Sequence, residues 1–275
     1  MRDLAIHARL AARPVAAMAG LFLLVALLRV WDTFWLRSDQ RFGEQVVAKG
    51  AGLLLVLAYL WLSGVGMAGI GFQGRNWQHA VLVGGGVMLA GLGAGYLVEW
   101  LSLAASGARP SLLLSVRGYA LVPKEGAAAA VGAGAVVVLL GNAVNSFLEE
   151  GLFRGVMMGH LVPVLGPTRA NLLQAALFGI WHLVWPLREV LDGSMGISTA
   201  LGLGAGYTVL SFLIGLAFGW LLQGTGSLWA PWVAHTLNNS AYNVLQIVTA
   251  AGVEGTMGLR AAVVTVVVAA LSRLL

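Results

Sequence analysis

The sequence predicts an all-α, polytopic membrane protein of about eight transmembrane helices, and two observations carry that reading. Of 275 residues, 59% are hydrophobic and 10% charged, whereas soluble domains carry about 25% charged residues. The apolar residues also fall into runs of about 20, the length needed to cross a bilayer as a helix. Barrel strands would instead alternate apolar and polar residues over about ten positions.

Expected spans follow in order at 14–37, 46–72, 79–105, 126–150, 171–187, 199–223 and 227–251, with a shorter one at 260–275. Arg2, Arg9 and Arg13 precede the first. That run is too long for a signal peptide's apolar region and no small-residue cleavage site follows it, so it is expected to be a retained anchor. Basic residues in the connections divide almost evenly between the two sides and leave the orientation open; the three leading arginines favour a cytoplasmic N-terminus.

The longest polar connections, near 37–49 and 106–125, are too short for a soluble domain, so residues 1–275 are expected to form a single integral membrane domain. "GLGAG" at 91–95, "GLGAG" at 202–206 and "GLAFG" at 215–219 place glycines four apart, a spacing that lets helix backbones approach closely.

The formal charge of +5 comes from basic residues scattered along the connections, without an aromatic-flanked block. This points to lipid head groups as partner and away from nucleic acid. Cysteine is absent, which excludes a disulfide framework and thiolate metal ligation.

Ionisable groups at bilayer depth are costly, by about 2.5–3.5 kcal/mol each on insertion scales, and are functional candidates by default. Glu149 and Glu150 end the fourth span. On a helix turning about 100° per residue, adjacent side chains face different ways. Glu150 stands four residues before Arg154, the order that favours an ion pair, which leaves Glu149 free to act. Asn142 and Asn145 extend a polar stripe towards it.

In the fifth span Gln174, Phe178 and His182 are spaced by four, and in the seventh His235, Asn239 and Asn243 repeat that spacing. Each stretch alone could be a polar seam between helices, or a snorkelling helix end in the case of "EEGLFR". Together they supply a carboxylate, two imidazoles and a carboxamide, the groups needed to activate water and stabilise an oxyanion.

"EEGLFR" at 149–154, "FGIWH" at 178–182 and "HTLNN" at 235–239 resemble, in order, the Glu-Glu-x-x-x-Arg, Phe-x-x-x-His and His-x-x-x-Asn pattern of the CAAX prenyl protease and bacteriocin-processing family of intramembrane proteases, which includes lysostaphin-resistance-like proteins. The resemblance covers roughly residues 140–245, the expected catalytic core; the first 125 residues carry no assignable signature. It implies eight helices enclosing a membrane-open cavity. It implies Glu149 as the catalytic glutamate, His182 as the group that holds water with it, and His235 and Asn239 as the oxyanion pair. Glu150 and Arg154 would be the supporting ion pair and Phe178 a packing position.

The expected activity is endoproteolysis of a membrane-associated protein or peptide without a cofactor. A zinc-dependent variant using Glu149, His182 and His235 stays open, although His-Glu-x-x-His is missing and Asn239 suits an oxyanion better than zinc. A transporter would use the same groups as a relay, but no broken helices in the first half match them. An immunity or scaffold protein would not need the intact motif set. Arginine outnumbers lysine 14 to 2, a usage expected of a GC-rich prokaryote and its inner membrane. Prenylation is generally lacking there, so a leader peptide or C-terminal sorting segment is the expected substrate.

Overall fold

A computed structural model describes residues 7–8, 10–42, 45–115, 133–253 and 256–275. Its longer α-helices are α1 (Pro14–Trp31), α2 (Val46–Ser63), α3 (Trp77–Ala105), α4 (Ala133–Glu150), α5 (Met158–Leu165), α6 (Pro167–Trp181), α7 (Val184–Leu191), α8 (Ile197–Thr225), α9 (Trp229–Val244) and α10 (Met257–Arg273). The predicted all-α class holds.

Among the described residues, five segments are long and apolar enough to span a membrane: Pro14–Leu36, Val46–Ser63, Trp77–Ala105, Pro167–Leu191 and Ile197–Thr225. The helices expected as the fourth, seventh and eighth spans are present as α4, α9 and α10 but are not among those five, so the count of eight is not confirmed. The expected start of the fourth span, 126–132, lies outside the described residues.

The seventh expected span, 227–251, is shorter than its apolar run. Helix α9 stops at Val244, and Leu245–Thr249 turns into a strand, β2, between β1 (Ser111–Leu114) and β3 (Gly252–Val253). Both pairings are antiparallel, with Leu112 opposite Ile247 and Val248 opposite Val253. The β-branched "IVT" favours this extended form. Tyr96 Oη of α3 reaches Ala241 O at 3.1 Å and Leu245 O at 2.7 Å, pinning the point where helix gives way to strand; Ala241 O also accepts from the Leu245 N–H that closes the helix.

Two apolar clusters make the interior. The first gathers Val25, Val56, Leu148, Leu152, Phe153, Phe178 and Trp181 from α1, α2, α4, the following turn and α6. The second gathers Met88, Phe218, Leu221, Ala230, Ala234, Val264 and Val268 from α3, α8, α9 and α10. Ile214 and Trp229 pack against both. Close helix approach depends on missing side chains, most directly at Gly84, where an added Cβ would sit 2.2 Å from Ala230 O of α9.

Two of the three glycine pentapeptides are such seams. A Cβ at Gly91 or Gly95 would lie 2.6 Å from Val268 or Val264 of α10, and one at Gly219 would lie 1.8 Å from Asn171 Oδ1 of α6. The "GLGAG" at 202–206 is not a four-apart seam: Gly202 and Gly206 meet nothing within 4 Å, and only the intervening Gly204 approaches Pro186.

Candidate active site

Helix α4 does not end at Glu150 but continues through a π-helical segment, Gly151–Met157, into α5. The wider turn is a form found mostly as local bulges, often at functional sites. All seven of its residues are buried. It brings Arg154 back beneath Glu150, with Nη1 donating to Oε1 at 2.9 Å and both side chains fully enclosed.

Arg154 Nη2 donates to Gly215 O at 3.2 Å. Its guanidinium lies 4.3 Å from the Phe178 ring centroid and 5.5 Å from that of Phe218, where the ring faces attract the cation. Phe178 thus packs against the charge as well as edge-on to Phe153 and His182. Gly215 O also accepts from Gln174 Nε2 at 3.0 Å.

His235 on α9 stands between the two carboxylates. Its Nδ1 donates to Glu150 Oε1 at 2.7 Å, and its Nε2 lies 3.7 Å from Glu149 Oε2. The Glu150 hydrogen bond assigns a proton to Nδ1 and aims Nε2 at the other glutamate.

Glu149 is only 2% exposed. Its Oε1 accepts from Trp181 Nε1 at 3.0 Å and lies 3.5 Å from Arg29 Nη1, while its Oε2 is buried and has no hydrogen-bond partner among the described residues.

His182 caps the end of α6, and its Nδ1 donates to Phe178 O at 2.7 Å. This satisfies a carbonyl the finished helix cannot serve and leaves Nε2 as an acceptor. The ring is half-buried beside Tyr207, 5.3 Å between centroids. No hydrogen bond joins it to Glu149. Asn239, also half-buried, accepts from Asn238 Nδ2 at 3.3 Å and makes no hydrogen bond to Glu149, His182 or His235.

The structure therefore joins Glu149, Glu150, Arg154, Phe178 and His235 in one contact network. His182 joins it through Phe178, and Asn239 lies one helical turn beyond His235; neither makes a hydrogen bond to Glu149. Asn142, from the polar stripe, holds α4 to α9 through Asn243 Oδ1 at 3.0 Å.

The sequence reading missed Arg29 and Trp181. Arg29 is a lone buried cation in the apolar run of α1, and an intramembrane charge is itself the signal that could have found it.

Residues 131–241 match the Rce1-like family of type II CAAX prenyl endopeptidases. The matched stretch takes in all three motifs and somewhat under half of the chain, and leaves Arg29 outside it. The matched family is one of CAAX-type proteases, hydrolases of peptide bonds, in line with what the motif resemblance implies. Comparison with curated proteins finds no match.

A zinc ion on Glu149, His182 and His235 fits these residues poorly. The Arg29 guanidinium stands beside the carboxylate, where a second cation would be repelled. Among the described residues, no three His, Asp or Glu side chains gather as a metal set.

Proposed function

We propose that the chain is an intramembrane endopeptidase cleaving a membrane-associated protein or peptide, with Glu149 as base and acid. The observation that carries this reading is the asymmetry of Glu149: one oxygen is fixed by an indole N–H, and the other is buried, unbonded and turned towards His235. A carboxylate so held is oriented before the reaction, which is what general base catalysis needs.

Glu149 takes a proton from a water that His182 Nε2 also holds. The resulting hydroxide adds to the scissile carbonyl, and its oxygen becomes an oxyanion. His235 and Asn239 donate to that oxyanion, and Glu149 returns the proton to the departing amine. For His235 to donate through Nε2 while Nδ1 serves Glu150, both ring nitrogens must carry protons; the ring between two carboxylates is surrounded by acceptors for both. Glu150 and Arg154 hold His235, and Phe178 packs under the guanidinium.

Residues 140–245 form the catalytic core of a single membrane domain in this reading. The substrate is a leader peptide or C-terminal sorting segment, and the site of action is a prokaryotic inner membrane.

The test uses the full chain in detergent and a quenched-fluorescent peptide offered with and without an S-prenyl cysteine near its C-terminus. Glu149→Gln removes the base at constant volume and is expected to abolish cleavage at wild-type expression. Exhaustive chelation is expected to leave the wild type active. Glu149→Gln activity within about tenfold of wild type would remove the assignment, since general base catalysis contributes about 10²–10⁴-fold. Activity lost on chelation and restored by zinc would replace the mechanism.

A further inference from the structure

Helix α1 lies outside the family-matched stretch, yet it delivers a buried guanidinium to the carboxylate proposed as base. Arg29 Nη1 is 3.5 Å from Glu149 Oε1, and the Arg29 guanidinium carbon lies 4.5 Å from the Trp181 ring centroid. Trp181 donates to the same Oε1 through Nε1 at 3.0 Å. The cation lies over the ring and the carboxylate takes the ring's N–H, so α1, α6 and α4 meet in one triad. Trp185 flanks it at 6.0 Å from the guanidinium carbon.

Both contacts converge on Oε1 and neither touches Oε2. A free carboxylate can rotate and exchange its two oxygens; this one has an indole donor and a cation on one oxygen and an imidazole edge near the other. Two different donors on Oε1 fix the plane as well as the direction of the group. A packed neighbour without charge could fill the space at Arg29, but would leave this buried anion with only a neutral donor and the imidazole.

We propose that Arg29, through its stack on Trp181, is a positioning residue of the reaction: it holds Glu149 Oε1 so that Oε2 is the atom that moves the proton. The N-terminal helix is then part of the active site. This inference rests on the proposed role of Glu149 as base. Because Arg29 acts on the orientation of the base, it affects turnover and not substrate capture.

The test measures kcat and KM for the same two peptide probes with the full chain in detergent, each beside a thermal melt. Arg29→Gln is expected to lower kcat by about 10²-fold, the cost of misplacing a reacting group by about 1 Å, with KM within about twofold of wild type. Arg29→Lys, which keeps the charge but not the planar fork, should retain more turnover than Arg29→Gln. Trp181→Phe, which keeps the ring and removes only the N–H, should also lower kcat and not KM.

Added methylguanidinium should return part of the turnover to Arg29→Ala and none to Trp181→Phe; a purely structural arginine would not show that selectivity. Wild-type kcat in folded Arg29→Gln, or a rise in KM alone, would overturn the inference while Glu149→Gln stays inactive. An active Glu149→Gln would instead remove the proposed base, and the inference with it.

Discussion

His235 lies between two carboxylates, and that position separates what the two glutamates do. Glu150 Oε1 accepts from both Arg154 and His235, so it joins a buried cation to the imidazole. Replacing it by Gln leaves Arg154 enclosed without its counter-charge, a change that in buried pairs costs up to about 3–5 kcal/mol. Glu150→Gln is therefore expected to lower the melting temperature, and turnover of the surviving folded fraction should change less, because the glutamine Oε1 can still accept from His235 Nδ1. His235→Ala and Asn239→Ala are expected to lower kcat about 10²-fold or more with little change in KM, as when one oxyanion donor is removed. The two losses should not add, since both donors serve one charge. Lower melting temperatures with normal kcat would show that these side chains only hold helices together. The local part of this site was readable in advance: i, i+4 spacing placed Arg154 under Glu150, and the residue order turned Glu149 elsewhere. The contact from Arg29 was not, because it joins positions 120 apart and no helical period shows which face of α1 meets α4.

At the scale of elements, small residues and helix ends set how near the reacting groups come. Helix α9 carries His235, and its Ala230 backbone lies directly against Gly84 of α3. The obstacle to a side chain at Gly84 is a carbonyl, which cannot rotate away as a side-chain tip can. Gly84→Ala must part α3 from α9, and overpacking of this kind costs about 1–3 kcal/mol. Gly93, on the same helix, meets nothing within 4 Å. Gly84→Ala is expected to melt lower in detergent and to lose turnover through the shift of His235, while Gly93→Ala should match wild type in both. Equal melting for the two variants would remove the close approach as the constraint. Glycine spacing alone did not separate seams from open positions: "GLGAG" faces α10 at 91–95 and faces open space at Gly202 and Gly206. Nor did hydropathy reveal the end of α9, because Leu245–Thr249 is as apolar as the helix before it; its pairing with Ser111–Leu114 depends on a distant segment.

For the molecule as a whole, the two apolar clusters each enclose ionised groups, but only the first holds the proposed base. In the second, Arg260 of α10 lies 3.3 Å from Glu99 Oε2 of α3, Thr256 Oγ1 donates to Glu99 Oε1 at 2.8 Å, and the guanidinium carbon is 4.3 and 4.8 Å from the Tyr96 and Tyr242 rings. Glu99 and Arg260 are both 1% exposed. Arg260 belongs to the first turn of α10, fixed there by a partner 161 positions earlier. The pair ties the C-terminal helix to the glycine face of α3, and nothing in its contacts reaches Glu149 or His235. Glu99→Gln should therefore be strongly destabilising, since it leaves a buried guanidinium uncompensated, whereas replacing both partners together, as in Glu99→Leu with Arg260→Met, should recover much of that loss. In either variant, kcat of the folded fraction should stay within about twofold of wild type, because neither Glu99 nor Arg260 touches Glu149, His235 or a group bonded to them, and sites without shared partners couple weakly. Melting curves and single-turnover cleavage on the same samples check this. A double replacement as unstable as Glu99→Gln would mean that the pair's geometry, and not its charge balance, holds α10. Lost turnover in stable protein would make this second charged cluster part of the reaction.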